Sequence, residues 1–242
     1  MLDLIIFSLA WFVAGAINNL AGFGAAMVAM PILTIVLPME TAVVSAMPII
    51  VMLNVQMAWA YRHNIPWSAL RSVVIGGVVG VVAGLVIMET VPEGALKLTM
   101  GVFLVLYGMY SFFQSDHAGQ MQKHSFWGAV AGFFSTLLGA LFSFNGPPLA
   151  VYVTAGGWEQ KKAKGLLGAC FVLSGITILI GQVVSGAVTM ETLRYSAIGV
   201  PAVLAGGGIG IFASRFVAQA VYRRIILMVI MTAGLSVIYS CL

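Results

Sequence analysis

Two short stretches of this sequence place amides, hydroxyls, glycines and prolines together inside otherwise apolar surroundings. The first is "AINNLAGFGAAMVAMP", with Asn18, Asn19, Gly22, Gly24 and Ala25; the second is "FSFNGPPLA", with Ser143, Asn145, Gly146, Pro147 and Pro148. None of these side chains titrates near neutrality, so proton transfer and nucleophilic attack are not their chemistry. They can donate hydrogen bonds to anionic oxygens. Glycine lets a backbone approach a ligand closely, and proline suits a first helical turn, where its missing N–H removes little. A helix that restarts at such a break turns free N–H groups and the positive end of its macrodipole toward whatever lies beside it, giving an anion site without a charged side chain. The same asparagines would equally serve to satisfy carbonyls freed at the break, a purely structural role.

The elements that must position these residues are membrane helices. Of 242 residues, 61% are hydrophobic and 7% charged, whereas a soluble domain is about a quarter charged. The expected fold is all-α and polytopic, with the lipid bilayer as its solvent and the cell inner membrane as its location. Apolar runs fall at 4–20, 24–37, 41–60, 70–88, 95–113, 126–142, 147–156, 165–185, 195–213 and 224–241. As one straight helix, residues 4–37 would run about 50 Å across a hydrocarbon core of roughly 30 Å. The chain must therefore break near Gly22 to Gly24. The piece after the second break, 147–156, would reach only about 15 Å, too short to cross. Broken or re-entrant helix pairs meeting near the midplane account for both.

The polar connection 114–125 divides the runs into five and five, giving a first repeat over 1–113, a cytoplasmic linker and a second repeat over 126–242. Residues 65–85 lie over 188–208 at an offset of 123, matching Leu70 with Leu193, Arg71 with Arg194, Ile75 with Ile198, Gly76 with Gly199 and Gly84 with Gly207. If the first two segments of each half return to the side they left, the halves are inverted. Arg62, Arg71, Lys123, Lys161, Lys162, Lys164, Arg215, Arg223 and Arg224 then share one face, against Lys97 and Arg194 on the other. Fusing each pair into a single crossing gives seven against four, so positive-inside favours the first arrangement, with both termini outside.

Other functions leave weaker traces. The net charge of +4 comes from residues beside segment ends, which read as topology signals and not as a nucleic-acid surface. His63, His117 and His124 fall in polar connections, and Cys170 and Cys241 form no metal or disulfide spacing, so no metal or cofactor is expected. The N-terminal "MLDLIIFSLAWFVAG" lacks a basic n-region and reads as a structural segment. An intramembrane enzyme would need a base beside Cys170 or Ser174, and no span carries a His or carboxylate to act as one. An enzyme is therefore not the expected reading; an intramembrane enzyme and a non-transporting membrane scaffold or assembly protein stand as the alternatives. Asn54, Gln56 and Gln182 are further polar positions within spans that can act as interhelical glue.

Three stretches carry a family resemblance across nearly the whole chain: "GFGAAMVAMPIL" (22–33), "LPMETAVVSAMPIIVMLNVQMAWAYRHNIPWSALR" (37–71) and "NGPPLAVYVTAGGWEQKKAKGLLGACFVLSG" (145–175). In these the sequence resembles the TauE/SafE family of sulfite-exporter-like permeases. It departs from that pattern where Ala25 and Ala26 stand for glycines and where Phe144 and Asn145 enter the second break. The resemblance implies a transporter of small sulfur-containing anions such as sulfite or organosulfonates. It places Gly22, Gly24, Asn145, Gly146, Pro147 and Pro148 around a central site. The expected partner is a small anionic substrate; a homodimer is left open.

Overall fold

The computed structural model describes residues 2–21, 24–113, 125–213 and 219–241. Among them are ten α-helices: α1 (Leu2–Ala21), α2 (Ala25–Val36), α3 (Met39–Ala60), α4 (Trp67–Thr90), α5 (Glu93–Phe113), α6 (Ser125–Phe142), α7 (Gly146–Ala155), α8 (Gln160–Val184), α9 (Met190–Ala213) and α10 (Gln219–Ser240). The all-α polytopic expectation holds. Of these, α3, α4, α5, α6 and α8 are long and apolar enough to cross a bilayer. Each helix matches one apolar run, but α8, α9 and α10 start five residues earlier than the runs do. Hydropathy locates only the part suited to hydrocarbon, whereas polar helix formers such as Gln160, Lys161 and Lys162 extend α8 beyond it. The connection 114–124 lies outside the described residues.

The chain forms two compact units, and each draws on both sides of that connection. One contains α1, α2, α3 as far as Ile49, α5, α9 and α10; the other contains the remainder of α3 with α4, α6, α7 and α8. In the first unit α1 lies chiefly on α9. The two run parallel: the Phe7 and Tyr195 rings meet tilted at 4.9 Å, while Gly206 and Gly210 sit directly on the Phe12 and Ala16 carbonyls. The start of α3 joins the same end, where Ser196 Oγ donates to the Ser45 carbonyl at 2.9 Å. There too the Met39 N–H donates to Glu93 Oε1 at 3.0 Å, bringing in the start of α5. Because α2 ends only three residues before Met39, it returns to the end where α1 began, and α1 and α2 form a helical hairpin. Helices α5 and α10 cross antiparallel, Gly101 facing Gly234 and Gly108 facing Met231.

The second unit is built the same way. Helix α4 lies chiefly on α6, also parallel, with Gly76 on the Ala129 carbonyl, Gly80 on the Phe133 carbonyl and Gly132 on the Val73 carbonyl. Small residues permit this approach, which is how helices associate where lipid removes the hydrophobic drive. Thr136 Oγ1 donates across the contact to the Gly77 carbonyl at 2.7 Å. Helix α7 folds back along α6, since a Cβ on Gly128 near the start of α6 would lie 3.4 Å from the Tyr152 hydroxyl near the end of α7.

Candidate functional site

The second break is fully described and lies halfway along its neighbours. Helix α6 ends at Phe142; Ser143 follows in the left-handed region at φ 62°, buried. A non-glycine residue there is strained and persists only where its surroundings hold it. Its N–H donates to the Gly139 carbonyl at 2.9 Å, closing α6, and Phe144 stacks on Phe142 at 5.4 Å. Asn145 then stands at the N-cap of α7, but its side chain makes no capping bond. Instead its Nδ2 donates to Ser174 Oγ on α8 at 3.0 Å, and its backbone carbonyl accepts from Ser135 Oγ on α6 at 2.5 Å. Ser174 in turn donates to the Phe171 carbonyl at 3.3 Å. All three polar side chains are buried.

Fourteen residues separate Gln160 from Ser174 on α8, a rise of about 21 Å, and ten more lead to its end, a further rise of about 15 Å. The start of α7 is therefore level with the middle of a bilayer-length helix. Beside it a small, partly open crevice of about 30 Å³ runs between α4, α6, α7 and α8. Its polar lining consists of the Ser135, Thr136, Ser174 and Thr177 hydroxyls and the Cys170 thiol; Val73, Gly77 and Val81 form the α4 wall. These groups can hydrogen-bond a small polar solute without carrying charge.

The first break belongs to the other unit. Gly24 opens α2 with φ 107°, a left-handed conformation reserved for glycine, and α2 has no side-chain cap. A Cβ placed on Gly24 would meet nothing within 4 Å. From Ala25 to Pro31 every residue of α2 is buried. Asn18 is half-buried near the end of α1. Gly22 and the Asn19 and Gln56 side chains lie outside the described residues.

The two helix starts differ in the donors they hold. In α2 the first turn carries the N–H groups of Ala25, Ala26 and Met27. In α7 Pro147 and Pro148 occupy the corresponding places after Gly146, leaving Gly146 as the only N–H of that turn. Of the expected site residues, Ser143, Asn145, Gly146, Pro147 and Pro148 come together around one turn. Pro148 is only half-buried. Sequence reasoning missed Ser135 and Thr136 altogether and took Ser174 only as a candidate nucleophile. Their signal was faint: Ser135 stands ten residues before Asn145, and Ser174 shares a helix face with Cys170 at i, i+4.

Long apolar helices packed through glycine, folded-back helical hairpins and an uncharged polar crevice define a multi-pass membrane protein of the transporter type. The profile of the sulfite exporter TauE/SafE family matches residues 7–237, and the chain belongs to that family. No curated protein and no solved structure matches it.

Proposed function

We propose that the protein is a secondary transporter that carries a small sulfur-containing anion, sulfite or an organosulfonate, by alternating access between two inverted halves. The observation that carries this reading is the opening of α2 at Gly24: a left-handed glycine whose Cβ would meet nothing within 4 Å among the described residues, followed by three backbone N–H groups with no side-chain cap among them. Such a helix start favours an anion through both its donors and its dipole. Within the other unit, the start of α7 offers the Gly146 N–H and the Asn145 amide, the latter held by Ser174. Two features support the inverted repeat. The parallel pairs α1 with α9 and α4 with α6 exchange places under the offset that relates the halves, and α1–α2 and α6–α7 are both hairpins. Helix directions within each unit agree with both termini lying outside and the Arg/Lys-rich ends lying in the cytoplasm.

The test is flux of labelled sulfite, and in parallel of sulfoacetate, in proteoliposomes containing the wild type or Gly24→Leu. A Cβ at Gly24 meets nothing within 4 Å among the described residues, so the expected folding cost is that of the left-handed conformation, about 1–2 kcal/mol. Flux should be saturable and should fall at least about tenfold in the variant. Wild-type flux of neither anion, or Gly24→Leu flux equal to wild type in folded protein, refutes the assignment.

A further inference from the structure

One end of the second unit gathers aromatic and cationic side chains from distant parts of the chain. Of the five tryptophans in the protein, Trp59, Trp67, Trp127 and Trp158 flank the end of α3 and the starts of α4, α6 and α8. These ends meet. A Cβ on Gly165 of α8 would lie 3.1 Å from the Asn64 and Tyr61 carbonyl oxygens, and one on Gly168 would lie 2.8 Å from the Ala58 nitrogen, so both glycines pack closely on this backbone. Helix α4 runs parallel to α8 along the crevice, Val73 to Val81 beside Cys170 to Thr177. Tryptophan concentrates at headgroup depth, so this end lies at a membrane surface.

Within it two cations are braced on aromatic rings, and three of the four have no carboxylate partner among the described residues. The Arg62 guanidinium stands 4.5 Å over the Trp59 ring and donates through Nη1 to the Trp59 carbonyl at 2.9 Å. Lys164 Nζ stands 5.5 Å over the Tyr61 ring. Lys161 is exposed beside them, and Lys162 alone has a carboxylate, Glu159 at 3.4 Å. Arg62, Lys161 and Lys164 have none among the described residues. A topology signal asks only for cations in a connection. Here cations roughly a hundred residues apart are clamped into one corner by backbone packing, two of them braced on aromatic faces.

We propose that this corner, built from Trp59, Tyr61, Arg62, Lys161 and Lys164, binds the phosphate headgroup of an anionic phospholipid of the adjoining leaflet. Rings at headgroup depth seat the glycerol region while the cations and the start of α8 meet the phosphate. Occupancy ties the end of α3 to the start of α8, the helix that carries Ser174.

The full-length protein, purified in neutral detergent, is titrated with phosphatidylglycerol, with phosphatidylcholine and with inorganic phosphate. Thermal stability and lipid retention by native mass spectrometry are read. Phosphatidylglycerol should raise the melting temperature and remain bound, whereas phosphatidylcholine and inorganic phosphate should do neither. In Arg62→Gln/Lys161→Gln/Lys164→Gln the phosphatidylglycerol affinity should fall on the order of a hundredfold, from three lost cations. In Lys97→Gln/Arg194→Gln it should be unchanged. Equal retention of the two lipids, the same shift with inorganic phosphate alone, or the same loss in both variants overturns the proposal. If the triple variant does not fold, wild-type affinity decides: a steep fall with added salt supports the site, and salt independence overturns it.

Discussion

Gly76→Ala tests whether glycine-on-carbonyl contact holds α4 to α6. The new Cβ would overlap the Ala129 carbonyl oxygen and lie 2.6 Å from its carbon and 2.8 Å from its Cα. Carbon atoms rest about 3.5–4.0 Å apart, so the helices must separate by about 1 Å. The obstacle is backbone, which cannot rotate aside as a side chain would. Overpacking of this kind costs about 1–3 kcal/mol. Separation also stretches the 2.7 Å bond from Thr136 Oγ1 to the Gly77 carbonyl, worth about 0.6 kcal/mol in a membrane protein. Alanine returns up to about 1 kcal/mol of helix propensity, leaving a net loss of about 1–3 kcal/mol. Gly208→Ala is the control, because a Cβ there meets nothing within 4 Å. Thermal unfolding in detergent should show Gly76→Ala lower than wild type by about 2–12 °C and Gly208→Ala unchanged or slightly higher. Equal melting temperatures for the two variants would refute the packing argument.

The remaining expectations concern the second break and the Glu93 contact. Ser174→Ala removes the acceptor of the 3.0 Å bond from Asn145 Nδ2; a loss of about 0.6–1.7 kcal/mol in thermal stability is expected. Its sulfite KM should rise more than its kcat falls, while a variant with wild-type stability and flux would show that the bond positions nothing. Glu93→Gln loses the 2.9 Å ion pair with Lys97 and weakens the bond from the Met39 N–H. With Glu93 half exposed, the cost should stay within about 1 kcal/mol, and a larger drop on thermal unfolding would make that contact a principal support of α3.

All ten helices were legible in the sequence, because hydrocarbon thickness and helix rise leave few ways to place so many apolar runs. The breaks were legible for the same reason, with Gly24, Pro147 and Pro148 as local marks. Helix starts were less so: Gln160 and Met190 begin helices whose first turns are polar, and hydropathy is blind to them. The partners of Asn145 stayed hidden because they are tertiary. Ser135 and Ser174 come from two other helices, and nothing local in their surroundings singles them out. The glycines at 76 and 199 were read as a repeat signature. Their contacts differ, since Gly76 rests on the Ala129 backbone whereas Gly199 rests on the Ile49 and Phe7 side chains, and pattern matching could not have told these apart.

The parallel seating of α1 on α9 has a consequence for how the protein is made. Nearly 170 residues separate the end of α1 from the start of α9, so at about 5–20 residues per second the first helix waits on the order of ten to thirty seconds for its mate. Until then its closely packing face, with Gly15 and Phe7, has no permanent neighbour and must be sheltered by lipid or by the insertion machinery. The nascent chain therefore cannot mature half by half; the earliest segment finds its place only once α9 has been made.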